Sequence, residues 1–203
     1  MNNCIFTPHC TECLCDKSCP ILVETAYLLE RNGIKMSSSV FKCKEDKNLN
    51  WPSINRFVNK MESEDIHIGV IKSRNTIKIS EIITYLEICN HWQGSRLHCT
   101  VYNLKYAKYI EDTKLSWSLK SNNDNLDYIK IWAETSNYLI ISNLDYVNFK
   151  DFECQTLLSI LQSRESNGLK TIVVIPEVNL IGDSKFLPRL TDILKNCEVK
   201  ANI

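Results

Sequence analysis

Short apolar runs alternate with longer amphipathic stretches through most of the 203-residue chain. The runs of strand length are IHIGVI (66–71), HCTVYNL (98–104), YLII (138–141) and TIVVI (171–175). Between them, apolar residues recur at helical spacing, as at Ile79, Ile82, Ile83 and Leu86. Strands that are apolar along their whole length are typical of a parallel sheet buried on both faces. The pattern predicts an α/β fold with helices flanking a parallel sheet, and CEVKANI (197–203) is a candidate fifth strand.

Composition divides the chain into three parts. Residues 1–35 contain a dense group of cysteines, followed by a helix that opens at Pro20 and is stopped by Gly33. Residues 36–50 are mostly polar, which predicts a linker. Residues 51–203 carry the alternation of strands and helices, and are therefore predicted to form the α/β domain.

The first nineteen residues hold five of the ten cysteines: Cys4, Cys10, Cys13, Cys15 and Cys19. Thiolates this close in sequence can converge on one metal ion at little entropic cost, so we expect a small metal-binding module. Zinc is the favoured metal, although the string falls one residue short of a ferredoxin-type cluster motif, and an iron–sulfur cluster stays open. Disulfides would need an oxidising compartment, for which the sequence gives no sign. Which four cysteines bind also stays open.

The charges of the chain balance, with 24 Lys and Arg against 24 Asp and Glu. A protein that binds DNA mainly through its phosphates usually has a basic surplus, so protein partners are favoured over free-standing DNA binding. No apolar run approaches the ~18 residues that span a bilayer, and the N-terminus lacks the pattern of a secretory signal. We therefore expect a cytoplasmic protein with no membrane partner.

A phosphate-loop frame lies between the first strand and its helix. Residues 69–76 fit G-x4-G-K-[ST] at Gly69 and Thr76, but Arg74 replaces the second glycine and Asn75 replaces the lysine. The glycine would let the backbone wrap a phosphate, and the lysine would hold the β- and γ-phosphates. The alternative interpretation is an ordinary turn from strand to helix.

Two later strand ends correspond to further parts of a P-loop ATPase. YLIISNLDYV occupies the place of the strand that ends in a magnesium-binding acid and a catalytic acid, and here those positions are Ser142 and Asn143. TIVVIPEV occupies the place of the sensor strand, which here ends in Pro176 and Glu177.

This order of segments resembles the AAA+ helicase loaders of the DnaC/DnaI type and their phage and mobile-element relatives, over roughly residues 50–203. Within it, Arg164 in ILQSRES matches the arginine of a family turn, and LPRLTDILKNCEV matches a later family segment at Arg189 and Asp192, with Ile193 replacing its second arginine. DnaI-type loaders also carry an N-terminal zinc module, in keeping with the cysteine group. The resemblance implies an AAA+-like body from which the lysine, both acids and the sensor have been lost.

We therefore expect a pseudo-ATPase that turns over no ATP and serves as a protein-binding scaffold in DNA replication. Its expected partner is a replicative helicase or an active AAA+ subunit, with DNA reached through that complex. Arg164 and Arg189 would then be candidates for arginines acting on a neighbour's nucleotide. Two alternatives stay open: a nucleic-acid-binding regulator that uses the cysteine module, with Lys72, Arg74 and Lys78 as an anion site, and an iron–sulfur protein.

Overall fold

Four parallel strands form one sheet in the computed structural model, which describes residues 20–34, 51–93, 100–119 and 124–197. The strands are β1 (Ile68–Lys72), β2 (Val101–Lys105), β3 (Tyr138–Ser142) and β4 (Lys170–Ile175). The helices are α1 (Pro20–Arg31), α2 (Trp51–Ser63), α3 (Thr76–Gln93), α4 (Tyr106–Leu119), α5 (Asp124–Thr135), α6 (Asp151–Ser166) and α7 (Leu187–Asn196), with a 3₁₀ turn at Leu144–Tyr146. The strand order is β1-β4-β3-β2. The predicted α/β fold with a parallel sheet flanked by helices is confirmed.

Alternate residues of each strand pack into two separate layers of core. Ile172 and Val174 of β4 face α1, α2 and α3, whereas Val173 and Ile175 face α4, α6 and α7. Side chains on a strand alternate between its two faces, so a strand that is apolar throughout must be covered on both. This explains why the strands contain unbroken apolar runs.

Helix α1 packs on the α/β domain. Leu29 and Ile34 are buried in the same core layer as α2 and α3. At the edge of the sheet, the side-chain amide of Asn32 donates to the Val101 carbonyl at 3.2 Å, and its Oδ1 accepts from the Asn103 N–H at 2.6 Å. Asn32 thus satisfies backbone groups of edge strand β2 that another chain could otherwise pair with.

The opposite edge of the sheet is β1, where the Val70 N–H donates to the Cys197 carbonyl at 3.0 Å. The candidate fifth strand continues beyond Cys197 and so lies outside the described residues, as do the predicted linker and residues 1–19. None of the helices in the described ranges has the length and apolar character needed to cross a membrane.

Candidate functional site

The three segments that resemble parts of a P-loop ATPase meet at the carboxyl edge of the sheet. Strand β4 lies between β1 and β3, so the ends of all three strands are neighbours. Just beyond β1, the Ser73 N–H donates to the Ile175 carbonyl at the end of β4, at 3.0 Å. In open α/β sheets ligands usually bind at this edge, which makes it the candidate site.

Gly69 lies inside β1 rather than in the turn that follows it, with its Cα opposite that of Ile172. A Cβ at this position would overlap the Met61 Sδ and lie 3.1 Å from the Phe57 Cζ, so the glycine allows α2 to pack closely on the strand. Residues 69–72 all stay paired with β4. Only residues 73–75 form the turn to α3, which leaves too little free backbone to wrap a phosphate.

Asn75, at the position of the P-loop lysine, caps helix α3. Its Oδ1 accepts from the Lys78 N–H at 3.0 Å, and its own N–H donates to the Ser73 Oγ at 3.1 Å. A helix N-terminus binds anions through the backbone N–H groups of its first turn, which have no partner within the helix. Here the side chain of Asn75 already occupies one of them, as a capping residue does.

Arg74, at the position of the P-loop glycine, is paired across the edge with Glu177. The Arg74 Nε donates to the Glu177 Oε2 at 2.7 Å. This hydrogen bond and the negative charge of Glu177 raise the pKa of Arg74. Glu177, just beyond the sensor-like strand, therefore pairs with the guanidinium of Arg74. A nucleotide bound at this position would need that cation for its own phosphates.

Thr76 contacts a carboxylate that sequence reasoning missed. The Thr76 hydroxyl is buried and donates to the Asp145 Oδ1 at 3.2 Å. Asn143 adopts a left-handed conformation, with φ of 63°, and starts the 3₁₀ turn that contains Asp145. The resemblance places the two acids of the family at Ser142 and Asn143, three and two residues before Asp145. Its presence in SNLDYV is the only sequence signal that could have pointed to it.

Ser142 and Asn143, the positions of the two acids, have separate surroundings. Ser142 is fully buried on the α3 face and donates to the Asn103 Oδ1 at 3.4 Å. Asn103 in turn donates to Ser80 and Thr84 of α3, so Ser142 belongs to a polar network in the core. Asn143 lines a groove of about 640 Å³ on the α4 side of the edge.

Arg164 is fully buried, and this burial is incompatible with the predicted action of this residue on a neighbouring subunit. Its guanidinium donates to the Thr171 Oγ1 at 2.8 Å, the Ala133 carbonyl at 3.0 Å and the Lys170 carbonyl at 2.6 Å. Burial lowers the pKa of Arg164 to about 10. An arginine that acts in trans needs an exposed guanidinium, whereas this one joins α5, α6 and β4. Arg189 is exposed on α7, and its trans-acting role stays a prediction.

The cysteines predicted to bind metal lie outside the described residues, namely Cys4, Cys10, Cys13, Cys15 and Cys19. Zinc or an iron–sulfur cluster at these positions therefore stays a prediction. In the part of the chain that the structure describes, no three His, Cys, Asp or Glu side chains are grouped so that they could hold a metal ion.

Neither a family model nor a curated protein matches the chain. The geometry of the carboxyl edge is therefore the main basis for a functional proposal.

Proposed function

We propose that the protein is a non-hydrolysing relative of the DnaC/DnaI-type helicase loaders and acts as a protein-binding scaffold in DNA replication. One observation carries the proposal: the polar side chains at the phosphate-loop position are each bound by another group of the same chain. Arg74 pairs with Glu177, Asn75 caps its own helix, and Thr76 donates to Asp145.

These contacts leave little with which to hold a nucleoside triphosphate. Phosphoryl transfer depends on positioning and on charges placed around the phosphates. Here Glu177 would repel a phosphate that approached Arg74, and Asn75 supplies no charge. Asp145 could help to hold a cation beside Thr76, but a cation alone does not supply the missing loop. The residues present do not fit ATP and magnesium as a working pair.

The strand order supports the resemblance to loaders. A nucleotide in a P-loop ATPase touches the phosphate loop, the acidic strand end and the sensor strand end together. The order β1-β4-β3 brings the three corresponding segments of this chain to one edge. The sequence order alone would not have required this.

The balanced charge supports a protein partner over nucleic acid bound directly. In the proposal the partner is a replicative helicase or an active AAA+ subunit, and DNA is reached through that complex. The cysteine module, with zinc, is a second docking element. Arg189 is the remaining candidate for an arginine that reaches a neighbour's nucleotide.

The proposal is tested by mixing the purified chain with the replicative helicase of its host and measuring complex formation by mass photometry, with and without ATP. We expect a complex in both conditions, because the chain's own site does not need a nucleotide for binding to the helicase. Nanomolar binding of single-stranded DNA by the chain alone, at physiological salt, would favour the nucleic-acid-binding regulator instead. A brown, iron-containing protein after anaerobic purification would favour the iron–sulfur alternative.

A further inference from the structure

Helices α1 and α5 expose apolar and aromatic side chains along a stripe that passes from one helix to the other. The members are Val23, Tyr27 and Arg31 on α1, and Tyr128, Ile131 and Trp132 on α5, and we call this set the α1–α5 stripe. Val23, Tyr27, Tyr128 and Ile131 are each between 52% and 63% exposed. Isolated apolar residues at a surface need no explanation, whereas contiguous ones indicate a binding surface.

The stripe is contiguous because each member neighbours the next. On α1, positions 23, 27 and 31 are four residues apart and share one face of the helix. On α5, positions 131 and 132 follow position 128 by three and four residues, so both neighbour it on the helix surface. The two columns join where the Arg31 guanidinium carbon lies 3.0 Å from the centre of the Trp132 ring.

Among the residues that the structure describes, the stripe belongs to neither core layer. Helix α1 packs inward through Leu29 and Thr25, and α5 packs inward through Ala133. The outward faces carry tyrosine, tryptophan and arginine, the residue types that dominate binding energy at protein interfaces. These side chains are therefore available to a partner.

The charge around the stripe indicates the chemistry of that partner. Together the two helices carry five carboxylates, those of Glu24, Glu30, Asp124, Asp127 and Glu134, against the two cations of Arg31 and Lys130. One of the cations, Arg31, already lies over Trp132. The two helices that form the stripe therefore carry a net negative charge, which favours a basic partner over an acidic one.

We infer that the α1–α5 stripe is the docking surface for a basic amphipathic helix of a protein partner. The inference rests on the proposed scaffold function, for which it names the surface and the kind of segment bound. An amphipathic helix places apolar residues on one face, which would cover the stripe, and its flanking lysines or arginines would lie against the carboxylates.

The test uses two synthetic peptides of about 18 residues, long enough to form a helix when bound. Both have the same leucine face, and the polar face is lysine in one and glutamate in the other. Fluorescence anisotropy with the full chain should show tighter binding of the lysine peptide. The double variant Tyr27→Ser/Tyr128→Ser should weaken that binding about tenfold or more. Its matched control is Leu115→Ser/Leu119→Ser on α4, which removes two similarly exposed apolar side chains and should leave binding unchanged.

The role of charge is tested by the variant Glu24→Lys/Glu30→Lys, which should bind the lysine peptide more weakly and the glutamate peptide more tightly than wild type. Equal binding of the two peptides, or an equal loss in the α4 control, would overturn the inference. So would a dimer of the chain that Tyr27→Ser/Tyr128→Ser dissolves in sedimentation, because a second copy would then be the occupant. ATP hydrolysis by the chain would instead overturn the proposed function and leave the peptide result standing.

Discussion

Arg74 and Glu177 are 103 residues apart in the chain, yet the Nε of one donates to the Oε2 of the other at 2.7 Å. The contact joins the residue at the P-loop glycine position to the end of the sensor-like strand. Arg74 would be unfavourable for binding a phosphate because of its bulk at the glycine position. Glu177 would be unfavourable because of its negative charge. Together they neutralise each other, so the two departures from the ATPase pattern form one local structure.

The burial of Arg164 predicts a structural role that can be measured. Arg164→Met should lower the free energy of unfolding by about 2–4 kcal/mol, because it leaves two backbone carbonyls and the Thr171 hydroxyl without their donor. Urea denaturation of the full chain measures the loss.

Arg189→Met is the control for that substitution, since Arg189 is exposed and its loss should change stability by less than about 0.5 kcal/mol. A stable Arg164→Met protein that had lost only a partner's activation would restore the trans-acting interpretation.

Gly69 should be required for packing rather than for ligand binding. Gly69→Ala should destabilise the fold by about 1–3 kcal/mol, because the new methyl group meets Met61 and Phe57. Adding Met61→Ala should recover part of the loss, because it makes room on α2. Thermal denaturation of the single and double variants measures the coupling, and simple additivity of the two losses would contradict this packing explanation.

The sequence was sufficient to predict the strands of a parallel sheet, but not their order or the contacts that define the site. Apolar runs predicted β3 and β4 closely because strands buried on both faces need apolar residues throughout. The same patterns could not show that Glu177 reaches Arg74 or that Asp145 reaches Thr76, because these pairs form only once β4 is placed between β1 and β3.

Two residues also show how a local match can mislead. Gly69 fitted the first position of a phosphate loop, but a glycine inside a strand fits that frame equally well when a helix packs closely above it. Arg164 fitted a family arginine, but its sequence neighbours do not reveal that Ala133 and Lys170 supply carbonyl acceptors from other elements.

The ion pair of Glu153 and Lys114 should make stability depend on pH. Burial raises the pKa of Glu153. Lys114 and the backbone N–H groups at the start of α6 lower this pKa by more than burial raises it, so the net pKa lies below its ordinary value. A carboxyl group with a lowered pKa stabilises the fold fully above the pKa of the unfolded chain, and this gain is lost as pH falls through the folded-state pKa.

Lys114→Met should therefore cost about 1–2 kcal/mol at pH 7, and this difference from wild type should shrink as the pH is lowered below about 4. Denaturant titrations at several pH values measure it. Lys108→Met removes an exposed pair with Asp112 and should cost less than about 0.5 kcal/mol. A Lys114→Met difference that stayed constant with pH would rule out this electrostatic explanation.

The cysteine group should bind about one zinc ion per chain, because five thiols within nineteen residues can supply the four ligands of a structural site. Cys10→Ser/Cys13→Ser should lose the metal, while the control Cys154→Ser, at a buried cysteine of α6, should retain it. Elemental analysis of protein purified without chelator measures the zinc content. Protein free of stoichiometric metal would contradict the prediction.

The central claim, that the carboxyl edge is an inactive nucleotide site satisfied by its own side chains, is tested most directly by ATP turnover. Phosphate release from ATP and magnesium should be measured for the wild-type chain, Thr76→Ala and Asp145→Asn, alone and with the helicase. We predict that none of the three proteins hydrolyses ATP above the background rate, and that the helicase's own rate is the same with each of them. Hydrolysis by the wild-type chain that disappears in Thr76→Ala or Asp145→Asn would contradict the account, because it would show a working site at this edge.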